Sequence, residues 1–426
     1  MNAKPSFDRA PPRRAARDLA LDCGRFVGMR FDESPLAALT GSFRTPSGDG
    51  RMALLQQLTT RLLGCGTVRR DRRDIADALE RRGASLSFEA GTARIAFSAL
   101  SCADDLPMLA TLLAQCLREP RFDPEDVVRE RAQLAAELRY AAQDPNMVAS
   151  AVLSRRLFEA GHPHHEPSLE QRIDWLEALG VDDVRACHEA LFGAHELLVV
   201  ALGGFDPSSC AVEFEQHLRT WRPPCRPTTR ADAGTIPPRG ETTCIHHPGS
   251  TSSNVLIGTR LAFDTADGVT AWLANRILGG SYASRLVASL REGQALTYSV
   301  RSELIDPQSD LDGLWRVAIA LGEDKLERGI AATRAELERF ADGDIATDEL
   351  DRQRRAAIGA LLVDAASLQG MGAFLLRNLE RGADVVHVDA FVEALAAVST
   401  RQLQRVAAAL QPAKLETVIV GPEPEA

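Results

Sequence analysis

The chain has 426 residues, 45% of them apolar and 25% charged, with a formal net charge of −10. That length is too great for one small core and predicts two domains of about 200 residues each. The composition is that of a globular protein, and the negative overall field gives no support to a nucleic-acid partner. Lysine occurs only at positions 4, 325 and 414, and arginine supplies nearly all the positive charge. Eight cysteines, at 23, 65, 102, 116, 187, 210, 225 and 244, form no C-x-x-C pair. A thiolate zinc site or redox motif is therefore not expected, and dispersed free thiols fit a reducing compartment.

In chain order, Arg13-Arg14 is a twin arginine, but "LALDCGRFVGMRF" after it reads as strands rather than as the apolar region of a signal peptide. No run approaches the ~20 apolar residues of a membrane span, so a cytoplasmic protein without a membrane partner is expected. Strands are expected over 18–22, 25–31, 36–43, 84–89 and 92–99, and amphipathic helices over 50–63, 72–82, 104–118, 124–142 and 147–159. The first half ends in "WLEALGVDDVRACHEALFGAHELLVVALGGFDP" (175–207): a helix, a cap, a second helix, then an apolar strand running into glycine. Residues 216–241, rich in Pro, Arg and Thr without an apolar period, read as a linker. The second half gives strands over 242–247, 253–261, 296–304 and 313–321, and helices over 268–278, 283–291, 324–341, 347–365 and 367–380. It closes on "FVEALAAVSTRQLQRVAAALQPAKLETVIVGPEP" (391–424), in the same order as the first, with Val184 and Leu403 corresponding 219 positions apart. Internal duplication explains this. The domain scheme is 1–215, a linker 216–241, and 242–426. Strand pairs of antiparallel type beside segregated helices predict the α+β class.

The stretch "LLQQLTTRLLGCGT" (54–67) carries Gln57, Thr60 and Arg61 at i, i+3, i+4, which places them together on one helix face. That is the spacing at which a helix can hold two metal ligands and a base. The segment "HPHHEP" (162–167) offers His162, His164, His165 and Glu166, but it lies in a loop with two prolines, and metal binding is not expected there. No phosphate-binding loop and no Ser/His/Asp or Cys/His constellation stands out.

The stretch "LGGSYASRLVASLREGQALTYSV" (278–300) resembles the C-terminal-domain signature of the M16 family of zinc peptidases, the pitrilysin and mitochondrial processing peptidase group. The match runs through Leu278, Gly279, Gly280, Ser284, Arg285, Leu286, Leu290, Arg291, Glu292, Leu296, Tyr298 and Val300. In the first half, "DIADALERRGASLSFEAGTARIAFSAL", "RFDPEDVVRERAQLAAELRYAAQDP" and "FEAGHPHHEPSLEQRIDWL" are similar to the family's segments after its metal helix. The resemblance covers about residues 15–425. It implies two homologous α/β-roll domains of the LuxS/MPP-like metallohydrolase fold, forming half of a clamshell over a peptide.

The family's metal motif is His-x-x-Glu-His on a helix, completed by a distant glutamate. Here the motif positions are Gln57, Leu58, Thr59, Thr60 and Arg61, and only the distant glutamate survives, as Glu137. An amide, a hydroxyl and a fixed cation cannot hold Zn²⁺, so no metal is expected in this chain. Glu137 is expected to be buried, and an Arg61–Glu137 ion pair to replace the metal as a staple. Ser87 stands where the family has a strand asparagine, and of the glycine-rich flap of one processing-peptidase subunit only Gly279-Gly280 remain, so presequence recognition is not implied.

The resemblance further implies a division of labour. A homologous M16B subunit bearing His-x-x-Glu-His would supply Zn²⁺, while this chain would supply Tyr298 to the oxyanion and Arg291 to a substrate carbonyl in a heterodimer inactive as single chains. The alternatives are an inert scaffold and a peptide-binding maturation factor.

Overall fold

The computed structural model describes residues 16–22, 24–46, 48–221, 234–261, 267–305, 312–382 and 388–423. Arg13-Arg14 and positions 222–233 of the expected linker lie outside the described residues. The first half runs β1 (Arg17–Leu21), β2 (Gly24–Arg30), β3 (Leu36–Arg44), α1 (Gly50–Leu62), α2 (Arg72–Glu80), β4 (Ser85–Ala90), β5 (Arg94–Cys102), α3 (Leu106–Arg118), α4 (Pro124–Ala141), α5 (Pro145–Leu157), α6 (Leu169–Ala178), α7 (Val181–Leu191), β6 (Leu197–Gly203) and α8 (Pro207–Leu218). The second runs β7 (Thr242–His246), β8 (Ser253–Leu261), α9 (Gly268–Leu278), a π-helical segment over Val287–Gly293, β9 (Ser299–Ile305), β10 (Gly313–Leu321), α10 (Leu326–Ala341), α11 (Thr347–Asp364), α12 (Leu368–Glu380), α13 (Val388–Ala397), α14 (Thr400–Ala407) and β11 (Glu416–Gly421). The fold is α+β, as the sequence predicts.

Among the described residues the strands make two sheets, ordered β1-β2-β6-β3-β5-β4 and β7-β11-β8-β10-β9. The duplication is visible in the pairing. β6 lies parallel to β2 and antiparallel to β3, and β11 lies parallel to β7 and antiparallel to β8. The parallel pairs depart from the expected antiparallel pattern. They arise because the last strand of each half returns from a helix to sit beside an early strand, β2 in the first half and β7 in the second, which a hairpin cannot do. Val184 on α7 and Leu403 on α14 occupy equivalent places and both are fully buried.

The central strands read as near-continuous apolar runs because both faces are covered. β6, "LLVVALG", is buried along almost its whole length, whereas the edge strand β4, "SLSFEA", alternates exposed and half-buried positions. The second cover comes from the other half of the chain. α12 packs on β3 and β6, bringing Phe374, Leu375 and Leu376 into one cluster with Val27, Met29, Val200 and Leu202. α5 packs on β8 and β11, joining Leu153, Leu157 and Phe158 to Leu256, Leu314, Val418 and Val420. Gly372 lets α12 approach the first sheet, since a side chain there would press on the Thr40 methyl, 3.1 Å from its Cβ position.

Two local expectations need correction. α8 starts on an Asp206 cap with Pro207 in its first turn and runs to Leu218, three residues beyond position 215. Trp221 is buried edge-on against Phe43 at 5.0 Å. The first half's packed structure therefore extends past the expected start of the linker. The expected helix over 283–291 is in part a π-helix over 287–293, closed by Leu296 N–H on the Leu290 carbonyl at 2.9 Å and by Ala295 at φ 50°.

Candidate functional site

α1 is positioned by its apolar side. Leu54, Leu58 and Leu62, at i, i+4 and i+8, are buried in the core of the first half. Gln57 and Arg61 lie off that stripe, half-buried. Arg61 donates from Nη1 and Nη2 to the two oxygens of Glu137 on α4, at 2.8 and 2.7 Å. This is the fork-on-carboxylate geometry that a guanidinium favours, and the Arg61–Glu137 pair expected from the sequence is present. The hydrogen bond from Arg61 holds the Glu137 carboxyl below the usual carboxylate range, and the same bond pushes the Arg61 guanidinium further up.

Two expectations about this cluster fail. Thr60 does not share the polar face: it is 1% exposed, and its Oγ1 has no hydrogen-bond partner among the described residues. Glu137 is not buried, its side chain being 48% exposed. It stays half in water toward the end of the α4 face that it shares with Glu130, and Arg61 reaches it there. The buried carboxylate is Glu130, two turns earlier on α4 and 8% exposed, which sequence reasoning missed. Arg72 Nη1 lies 3.2 Å from it, Arg61 Nε 3.5 Å, and the Cys65 Sγ 3.8 Å. Asp126, a further turn back, takes Arg129 and, at 3.6 Å, Arg72. Burial first, and then the Glu130 charge, pushes the Cys65 thiol up, so it stays a thiol. The available signal was the i, i+7 spacing of Glu130 and Glu137, which puts both on one face of α4.

These residues do not fit a zinc ion. Position 57 offers an amide, position 60 an inward hydroxyl, and position 61 a cation already spent on the surviving glutamate. Among the described residues no three of His, Cys, Asp and Glu form a metal-holding group.

The "HPHHEP" loop is structural. His162 is buried, stacks on Phe158 at 4.4 Å, and accepts the His164 backbone N–H at Nδ1. Burial, helped by the neighbouring His164, pushes its pKa down to about 4. His165 Nδ1 is 2.8 Å from the Phe158 carbonyl, and Glu166 takes Arg172 at 2.5 Å. Ser87, on β4, pairs with the Ser98 hydroxyl at 2.8 Å.

In the second half, Gly279 and Gly280 end α9 where β9 crosses it. A Cβ at Gly279 would stand 2.7 Å from the Ser302 backbone nitrogen, so only glycine fits. Arg285 is a structural residue, forked onto Glu349 at 2.7 and 2.6 Å and lying over the Phe340 ring. Arg291 lies over the ring of Tyr282 at 5.2 Å, with Glu292 at 3.5 Å. Its aromatic contact is therefore Tyr282 and not Tyr298. Tyr298, just before β9, is 92% exposed, with no hydrogen-bond partner among the described residues.

Comparison with known proteins gives a consistent picture. Residues 178–357 match the family profile described as "Peptidase M16 inactive domain", and residues 57–165 match "Insulinase (Peptidase family M16)". An uncharacterized zinc protease of Streptomyces coelicolor is 24% identical over 339 residues, 78% of this chain and 71% of its own length. One from Mycobacterium leprae is 24% identical over 251 residues, 57% of this chain and 55% of its own. Among solved structures, the peptidase M16 inactive domain from Pseudomonas fluorescens superposes with a TM-score of 0.85 at 21% identity, covering 96% of this chain and 98% of that one. A protease from Helicobacter pylori gives 0.83 at 14% identity, covering 96% and 100%. No single helix among the described residues is long and apolar enough to cross a membrane.

Proposed function

We propose that this chain, which belongs to the M16 peptidase family, is the non-zinc-binding subunit of a heterodimeric zinc peptidase and works beside a homologous partner bearing His-x-x-Glu-His. The observation that carries the reading is the state of the motif helix: Arg61 stands at the last motif position and is committed to Glu137. The metal and its water are the partner's in this reading, and a cytoplasmic location belongs to it too. The free thiols Cys65, Cys102, Cys116, Cys187, Cys210 and Cys244 support a reducing compartment.

This chain's own contribution is electrostatic. Tyr298 projects a phenol with no partner among the described residues, suited to donate its O–H to the oxyanion that forms on a scissile carbonyl. Arg291, held over Tyr282, donates N–H groups to a neighbouring carbonyl of the peptide. The peptide adds as a strand to a sheet edge, and β4 and β9 are the edges available at equivalent places in the two halves.

The test is co-expression with the His-x-x-Glu-His homologue and a peptidase assay of each chain alone and of both together. Activity is expected only from the pair. Tyr298→Phe in the pair is expected to lower kcat by about 10²–10³ with little change in KM, as for loss of one oxyanion donor. Full activity of the partner alone would reject the subunit role and leave the scaffold reading. Unchanged kcat with Tyr298→Phe would reject the oxyanion role.

A further inference from the structure

Residues 294–298 join the π-helical segment that carries Arg291 to the edge strand β9. A short turn leading into an edge strand opens readily unless it is tied down. Tyr298 supplies no tie of its own, since its phenol projects into water. Its neighbours supply several. Leu296 is buried in the core, and its N–H bonds the Leu290 carbonyl at 2.9 Å. Thr297 is buried too, and its Oγ1 donates to the Ala320 carbonyl of β10 at 2.5 Å and accepts the Ser299 N–H at 3.0 Å. Ser299 and Ala320 face each other in the β9–β10 register. One hydroxyl therefore closes the end of that ladder at the residue next to Tyr298.

The other side of the turn is held against its own preference. Ala295 takes a left-handed φ of 50°, and its carbonyl accepts Lys325 Nζ, from the residue before α10, at 3.0 Å. A residue with a Cβ keeps that conformation only where its surroundings over-determine it. The bracing does nothing for the packing of Tyr298, whose ring buries almost no surface, but it fixes the backbone from which the phenol projects.

We infer that Thr297 is a positioning residue for Tyr298, with Lys325 in support. The Thr297 hydroxyl sets the direction of the Tyr298 Cα–Cβ bond, and so narrows the region that the phenol O–H can reach. What the O–H meets there rests on the oxyanion role proposed above.

The first experiment uses this chain alone, with its three tyrosines replaced by 3-fluorotyrosine and followed by ¹⁹F NMR. Tyr298→Phe identifies the Tyr298 signal. Thr297→Val, which keeps the shape and removes the hydroxyl, is expected to move that signal and to leave the signal of Tyr140, in the other half, in place. Thr297→Ser, which keeps the hydroxyl, is expected to leave both in place. A Tyr298 signal unmoved by Thr297→Val would overturn the inference. Should that variant not fold, Lys325→Met, at a half-buried position, carries the same test with the same two outcomes. In the two-chain complex, Thr297→Val is expected to lower kcat about tenfold at unchanged KM, and to have no further effect in the Tyr298→Phe background. An equal loss in both backgrounds would show a merely structural role and overturn the inference. Unchanged kcat with Tyr298→Phe alone would instead remove the oxyanion role, while the ¹⁹F signal still judges Thr297, so the two failures are told apart.

Discussion

Arg61 serves two carboxylates of unequal weight. Its fork onto Glu137 has good geometry, but Glu137 is half in water, and an ion pair so exposed contributes about 0.2–1 kcal/mol. Glu130 is buried and depends on Arg72 and Arg61 together. Neutralising it removes the charge at a buried position that Arg72 and Arg61 share, at a cost of about 1–3 kcal/mol. The expected order in urea unfolding is therefore Glu130→Gln well below Glu137→Gln, although Glu137 is the residue that the family motif singles out. Histidine gives the pH dependence. His162 is held neutral by burial, with a folded pKa of about 4, and His164, His165, Arg260 and Asp312 are the charges around it. A depressed folded value means that its contribution is complete above about 6.5, the pKa of an unfolded histidine, and is lost as pH falls toward 4. His188, buried and bonded to the Leu117 carbonyl at 2.8 Å, is shifted downward for the same reason and adds in the same direction. The urea midpoint of the wild-type chain is expected to fall between pH 6.5 and 4.5, and to fall less in His162→Phe, which can still stack on Phe158. Equal slopes in the two proteins would show that His162 carries none of the dependence.

At the scale of elements, the exchange of α5 and α12 makes each sheet depend on the other half. Leu153 on α5 and Leu375 on α12 are buried at 0% and 1% exposure. Truncating either to alanine is expected to cost about 2–5 kcal/mol and to leave a single unfolding transition, because neither sheet keeps its cover without the other. A fragment ending at Trp221 would lack α12 and expose the Val27–Val200–Leu202 face, so it is expected to aggregate, as gel filtration would show. Two resolved transitions, or a monodisperse fragment, would count against the coupling. Most of the elements themselves were legible, because β3, β5, β8 and β10 carry strong apolar runs and the long helices keep a 3.6-residue period. The exchange was not. The apolar stripe of α5 is like that of any core helix, and nothing local says which sheet it covers. α8 was hidden by its polar Pro-Ser-Ser start, and the π-helix has no compositional mark. Within the site, the loss of the motif histidines and the Arg61–Glu137 pair followed from the family resemblance, which fixed the motif positions at 57–61 and the distant glutamate at 137. The inward turn of Thr60 and the burial of Glu130 depend on packing against distant segments, and spacing along one helix does not encode that.

At the scale of the molecule, the two halves are pinned where the exchanged helices end. Arg156, at the end of α5, reaches Glu416 on β11 at 2.7 Å as well as Glu241, and Glu380, at the end of α12, accepts from Ser42 at 2.6 Å with Arg94 at 3.7 Å. Arg316 of β10 also donates to Ser150 of α5 at 2.6 Å. Glu416 is 1% exposed and Arg94 8%, so these are buried charges that need their partners. Arg61 on α1 already ties that helix to Glu130 and Glu137 on α4, the place the family's metal would take. The consequence is measurable without any partner. A ligand that binds only the folded state stabilises by RT ln(1 + [L]/Kd), about 2.7 kcal/mol at a hundred times Kd, which a melting curve resolves as a shift of several degrees. Neither added zinc nor a chelator is therefore expected to move the melting temperature of the isolated chain, whereas raising salt should lower it slightly through the half-exposed Arg61–Glu137 pair. A zinc-dependent rise in melting temperature that Glu137→Gln removes would mean that this half holds a metal after all, and the division of labour between two chains would lose its physical ground.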